Sequence, residues 1–125
     1  MKNPKEQNYF MPPEWYPHEC CWMQWPHEFQ NKNSYKEVES WSHFDFEKGR
    51  HKWAEVALGI SNFEKVNMIV HPQDIEIAKK LLHDSINIFE FHNDDCWARD
   101  SGATFLLNDK KKIGGVDWEF NGWGK

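Results

Sequence analysis

The sequence is poor in most of the features that would place it quickly. Only three of its 125 residues are cysteines, Cys20, Cys21 and Cys96. An odd number with two adjacent members argues against a disulfide framework and fits a reducing compartment. No window approaches the roughly 20 apolar residues that a membrane-spanning helix needs, and the start, MKNPKEQNYF, has no apolar signal-peptide run. A cytoplasmic location is therefore expected, with no membrane partner. Basic charge is also scarce: 15 Lys and Arg face 20 Asp and Glu, for a net charge of −5. Nucleic acids and anionic surfaces select a basic face, so neither is an expected partner, and a cationic ligand suits the chain better. There is no internal repeat, and only Lys110 to Lys112 is low in complexity, as a solvated hairpin tip.

Aromatics are what the chain has in excess, with eight Trp and nine Phe. They must line a core, a pocket or a contact surface. At 125 residues the chain has the length of one domain and can bury a core. Residues 1–10 are polar and expected to be disordered, which leaves 11–125 as the folded part. Four of the six prolines crowd MPPEWYPHECCWMQWPH, so only Cys20 to Trp25 has room for a short strand there. Residues 28–44 read as loop, with Ser42 or Asp45 able to cap the next helix.

From Phe46 the pattern turns helical, and Trp53, Val56, Ala57, Ile60 and Phe63 form one stripe that ends near Asn62. Gly59 weakens that helix slightly. Lys65 to Val70 reads as a strand, and Pro72 then opens a second helix with Asp74 and Glu76 near its positive end and Ile75, Ala78, Leu81 and Leu82 inward. Ile86 to Phe91 is a nearly apolar strand, expected in the sheet interior. Ala103 to Asn108 and Lys112 to Phe120 form a late hairpin, with Gly114-Gly115 marking a bulge or a close approach. The fold class is α/β with a mixed sheet and two helices.

Between the last two regions lies HNDDCWARDSGATF, residues 92–105, the richest concentration of chemistry in the chain. Asp94, Asp95, Asp100 and Arg99 flank Trp97, with Gly102 just after. Three readings fit these residues. In the first, Arg99 pairs with Asp95 or Asp100 and Trp97 plugs the core, a purely structural network. In the second, the carboxylates hold Mg²⁺ or Ca²⁺, but the spacing lacks the ligand alternation of a calcium loop and Arg99 competes for the same oxygens. In the third, a planar guanidinium is bound, which needs a carboxylate with two oxygens side by side and an aromatic face; Asp100 and Trp97 supply both. A zinc site at His18, Cys20, Cys21 and His27 is disfavoured by spacing, because structural sites use a C-x(2–4)-C knuckle and a downstream pair.

Three blocks resemble the amino-terminal part of the agmatine deiminases, in the peptidylarginine-deiminase family of guanidine-modifying enzymes. MPPEWYPHECCWMQWPH is similar to the family's M-P-x-E-W-x-P-H-x-x-x-W-x-x-W-P, DDCWARDSGATF to D-x-W-x-R-D-x-G-P-x-F, and VDWEFNGWGK to D-W-x-F-N-x-W-G-G. Order and spacing agree from residue 11 to residue 125. Ala103 replaces the usual proline, which puts loop geometry in question, and Lys125 stands where a second glycine is expected.

The resemblance implies a pentein fold, a ring of ββαβ-type units around a central site, here only in part. It implies hydrolysis of agmatine to N-carbamoylputrescine and ammonia, a step of putrescine and polyamine biosynthesis, with no metal and no organic cofactor. Asp100 then matches a carboxylate that grips the guanidinium, and Trp97 and Trp123 match aromatic walls. Arg99 would orient the loop by pairing with an acid, since a second guanidinium would repel a cationic substrate, with Asp95 either its partner or a support behind the loop. The family's nucleophilic cysteine and catalytic histidine belong to later blocks, and neither Cys20, Cys21, Cys96 nor His92 inherits those roles. The chain therefore reads as truncated, inactive alone, and dependent on a missing carboxy-terminal part as partner. The alternative is a catalytically inactive remnant or binding module with a residual cation pocket. Agmatine is not separated from peptidylarginine by these blocks.

Overall fold

The computed structural model describes residues 3–28, 45–93 and 95–119. The expectations for Ser42, Asp94, Phe120 and Trp123 lie outside them. Two compact units divide the chain, one formed by Glu19–Cys96 and the other by Met1–His18 with Trp97–Lys125. The architecture is mixed α/β, with two three-stranded sheets.

The continuous unit carries β2 (Cys20–Gln24), α1 (Phe46–Ser61), β3 (Lys65–Val70), α2 (Ile75–Leu81) and β4 (Ile86–Glu90); β1 (Tyr9–Phe10) belongs to the other unit. Its strands are parallel in the order β2-β3-β4, and parallel pairing requires the long crossovers that α1 and α2 provide. Alternation along β3 is regular: Val66, Met68 and Val70 are fully buried, while Asn67 and Ile69 on the other side are half-buried. Ala57, Ala78, Leu82 and Ile86 join them, with Trp53, Ala54, Ile60, Ile75 and Leu81 packed against this core.

Two expectations for this unit need correction. The helix caps on Asp45, whose carboxylate accepts from Lys48 N at 3.1 Å, but its inward stripe is Arg50, Trp53, Ala54, Ala57 and Ile60. Val56 is 52% exposed and Phe63 91%, because Val56 lies about 100° off the stripe and Phe63 lies past the helix end. Among the described strands β4 is at the edge of its sheet, not inside it; its Phe89 is exposed and stacks at a tilt on Trp22, ring centroids 5.1 Å apart. The apolar run serves one covered face and an aromatic pair on the other. Asp74 stands at the amino end of α2 and Glu76 in its first turn, as expected; the Asp74 carboxylate makes no bond to the helix and is engaged by Arg50 and His27.

The second unit holds β1 (Tyr9–Phe10), α3 (Ala98–Ser101), β5 (Thr104–Asn108) and β6 (Ile113–Val116). Residues 4–10, expected to fray, form a 3-10 turn at Pro4–Gln7 closed by an Asn3/Glu6 capping box, then strand β1 antiparallel to β5. β5 and β6 form the hairpin, in unbroken register from Thr104↔Val116 to Leu107↔Ile113. No bulge occurs at Gly114. The glycine instead makes room for Tyr9, whose ring atom lies 3.0 Å from where a Cβ would stand. None of this unit's described residues is buried.

Candidate functional site

The loop 92–105 begins in one unit and ends in the other, the division falling after Cys96. Its start is anchored. Asn93 is buried, and its amide nitrogen donates to Trp25 O and to Asp95 O, both at 3.1 Å. His92 Nδ1 lies 3.1 Å from His71 Nε2. Asp95 and Cys96 are half-buried. Burial, and then the Asp95 charge, push the Cys96 thiol up to about 11. A thiol so shifted carries almost no thiolate at neutral pH. The Cys21 thiol is also raised, by burial and then by Glu64 and Cys20.

Beyond Cys96 the chain makes one helical turn that sequence periodicity does not show, since four residues are too few to reveal a period. Trp97 O accepts from Asp100 N at 3.0 Å, from Ser101 N at 3.2 Å and from Ser101 Oγ at 3.1 Å, which closes α3. Gly102 ends it by donating its N–H to Ala98 O at 2.9 Å. A Cβ there would stand 2.4 Å from that same oxygen, so the glycine is required by space. Trp97, Arg99 and Asp100 thus sit on one short turn, each with an exposed side chain.

Arg99 is where the structure departs from the sequence reading. Its partner is Glu14, not Asp95: Nη1 donates to Oε1 at 2.9 Å and Nη2 to Oε2 at 3.3 Å, a two-pronged pair across 85 residues. The hydrogen bond from Arg99, and then its charge, hold the Glu14 carboxyl below the usual carboxylate range. Asp95 contributes its backbone oxygen to Asn93. Glu14 belongs to the opening block, so the pair ties two of the three blocks together. Its separation in sequence leaves no signal to find it by.

Sequence reasoning also misses a buried polar cluster at the carboxyl ends of the parallel strands. Asp74 Oδ1 accepts from Arg50 Nη2 at 2.8 Å, and Oδ2 meets His27 Nδ1 at 2.7 Å. Arg50 Nε donates to Pro26 O at 3.0 Å, and the His27 ring stacks on His71 at 3.7 Å. His27 is therefore committed to Asp74, while Cys20 Sγ accepts from Asn67 Nδ2 at 3.3 Å. Among the described residues no group of three or more His, Cys, Asp or Glu side chains is arranged to hold a metal ion, and no helix is long and apolar enough to cross a membrane.

Residues 10–125 match the family model described as Porphyromonas-type peptidyl-arginine deiminase. A relative from Legionella pneumophila (strain Paris) is 42% identical over 122 residues, 97% of this chain and 33% of its own length. The agmatine deiminase of Pseudomonas aeruginosa (strain LESB58) is 37% identical over 97% of this chain and 30% of its own. Among solved structures, the agmatine deiminase of Enterococcus faecalis, described as catalyzing its reaction, superposes with a TM-score of 0.76 at 35% identity, over 97% of this chain and 30% of that one. The chain spans about a third of the length of these relatives.

Proposed function

The chain belongs to the Porphyromonas-type peptidyl-arginine deiminase family, and from that premise we propose that it supplies the guanidinium-gripping loop of an agmatine deiminase. The reaction is agmatine and water to N-carbamoylputrescine and ammonia, a step of putrescine and polyamine biosynthesis in the cytoplasm, without metal or organic cofactor. Asp100 accepts hydrogen bonds from the guanidinium nitrogens, and Trp97 and Trp123 wall the substrate. Arg99, held by Glu14, and Asp95, held through its backbone by Asn93, keep the loop in shape.

The observation that carries this reading is the turn at Ala98–Ser101. It presents Asp100 on an exposed surface next to Trp97, while the neighbouring guanidinium of Arg99 is neutralised by Glu14. A cationic ligand near Asp100 then meets one carboxylate without competition from a bare arginine. The remaining chemistry needs a cysteine thiolate to attack the guanidinium carbon and a histidine to hand a proton to the departing ammonia and later take one from water. Cys96, with its thiol at about 11, is unsuited to the first task. Both groups are assigned to the further sequence that the full-length relatives possess, arranged with this chain in a pentein ring.

Joining residues 10–125 to the remaining two-thirds of the Pseudomonas aeruginosa enzyme and assaying agmatine-dependent ammonia release tests this. The joined protein is expected to turn over and this chain alone is not; an inactive but folded joined protein overturns the reading. A second reading, a non-catalytic binding module, is favoured by the raised thiols of Cys21 and Cys96. It predicts that agmatine binds this chain alone, with heat lost in Asp100→Asn and kept in Lys112→Ala.

A further inference from the structure

The parallel sheet β2-β3-β4 has two unlike faces. Among the described residues both helices pack on the side of Val66, Met68 and Val70, where Ala57 and Ala78 close the core. Successive right-handed crossovers that advance one way along a sheet leave their helices on a single side. On the other side the strand register lines up Trp22, Asn67 and Asn87 in one row and Gln24, Ile69 and Phe89 in the next. Trp22 and Phe89 meet over the central strand, ring centroids 5.1 Å apart, and alternation places Phe91 with them just past the end of β4. Trp22 is 41% exposed, Phe89 46% and Phe91 69%. The amides of this face are tied to one another: Asn87 Nδ2 donates to Asn67 Oδ1 at 3.1 Å, and Asn67 Nδ2 donates to Cys20 Sγ at 3.3 Å.

Two properties of this face say what it meets. It is almost free of charge: among its strand residues only Lys65, at the rim, is ionised, in a chain whose residues are 28% charged. A small cation needs a carboxylate and an anionic membrane needs a basic patch, whereas a surface of aromatic rings and amides without charge is the composition of the centre of a protein–protein interface. The second property is the direction of the strands. All-parallel sheets occur almost only where both faces are covered, because their crossovers belong to layered folds in which each face packs on another layer. Here α1 and α2 cover one face and the aromatic rings stand open on the other.

We propose that the face bearing Trp22, Ile69, Phe89 and Phe91 is the surface on which this chain docks to the remaining two-thirds of a full-length deiminase. The relatives from Legionella pneumophila and Pseudomonas aeruginosa match this chain over only 33% and 30% of their own length, so the polypeptide that follows is ample to supply the missing layer. The contact is of the permanent kind, which resembles a domain core cut in two, with the Trp22–Phe89 pair at its centre and Lys65 at its rim. This inference rests on the reading that the chain works within such an enzyme. It is measured by solvent access and not by turnover: an inactive joined protein with a covered face tells against the activity alone, and an active one with an open face tells against the docking alone.

Hydroxyl-radical footprinting read by mass spectrometry is to be run on the whole chain alone and on the protein that joins it to the remaining two-thirds of the Pseudomonas aeruginosa enzyme. Oxidation of Trp22, Phe89 and Phe91 is expected to be rapid in the chain alone and to fall at least roughly fivefold on joining, as half-exposed rings become the dry centre of an interface. Phe63, 91% exposed past the end of α1, is the internal reference and is expected to react equally in both. If that junction does not fold, the remainder of the Legionella pneumophila relative takes its place, with the same expectation. Slow oxidation of Trp22 in the chain alone overturns the proposal, because the face is then already covered. Unchanged oxidation of the three rings in a folded joined protein overturns it as well. A discrete dimer of this chain in sedimentation, dissociated by Trp22→Lys, gives the face to a second copy and likewise overturns it.

Discussion

The two units of this chain are held together by different forces. Among the described residues, Glu19–Cys96 contains every residue of the buried apolar core and all five buried polar residues, His27, Arg50, His71, Asp74 and Asn93. The unit made of the two flanking segments has no buried residue among those described. It relies on backbone ladders, the exposed Arg99–Glu14 pair and the Trp118 Nε1–H bond to Thr104 Oγ1 at 2.8 Å. It also leaves Phe10, Trp15, Phe105, Ile113 and Trp118 substantially exposed. Hydrophobic burial is the main source of folding free energy, and exposed ion pairs add little. Cohesion therefore resides in one unit, while Trp97, Arg99 and Asp100, the residues read as the site, belong to the other.

Substitutions in the first unit should break this contrast most visibly. Asp74→Ala leaves Arg50 and His27 buried without their carboxylate, and a loss of about 3–5 kcal/mol is expected in a urea melt followed by circular dichroism. A milder loss would mean that the cluster is wetter than its burial indicates. Next, Met68→Ala, at a fully buried position, should cost about 2–5 kcal/mol, whereas Phe105→Ala, on a side chain 57% exposed, should change stability by only about 0.5 kcal/mol or less. Equal costs would abolish the distinction between the units.

Cysteine chemistry probes the boundary. With its thiol at about 11, Cys96 should have roughly a hundredfold less thiolate at pH 7.5 than an ordinary thiol, and alkylation by iodoacetamide should be slow there and rise with pH up to about 11. Fast labelling at neutral pH would show that burial around the end of the first unit is lost in solution. The smallest expected effect is a gain. Gly59 lies within α1, and no atom stands within 4 Å of where an added Cβ would sit. Gly59→Ala should therefore add about 0.5–1 kcal/mol to the melt, by limiting the unfolded chain and favouring helix.

Much of the first unit is legible in the sequence, because its elements repeat a local rule. β3 alternates, α1 starts on Asp45 and Pro72 opens the turn that leads into α2, all signals carried within a few residues. The stripe of α1 is misjudged when Val56 and Phe63 are included, since a hydrophobic side chain at nearly the right spacing is indistinguishable in sequence from one that packs. The placement of β4 at an edge depends on which strands pair, which no local pattern encodes. The polar cluster joins residues 24 and 47 positions apart, and Glu14 joins Arg99 over 85. Such partnerships between charged residues are set by the fold, and sequence proximity points to Asp95 instead. The candidate loop stands out in sequence as a concentration of acids around Arg99 and Trp97, but its helical turn and its anchoring by Asn93 and His92 do not.

The most direct test of the account replaces one carboxylate. In the protein joined to the remaining two-thirds of the Pseudomonas aeruginosa enzyme, Asp100→Asn keeps the shape of the side chain and removes the charge proposed to grip the guanidinium. Agmatine-dependent ammonia release is expected to fall at least roughly a hundredfold, with an unchanged melting temperature. Turnover within a few-fold of the unsubstituted protein would contradict the assignment of Asp100 and return the loop to a structural network.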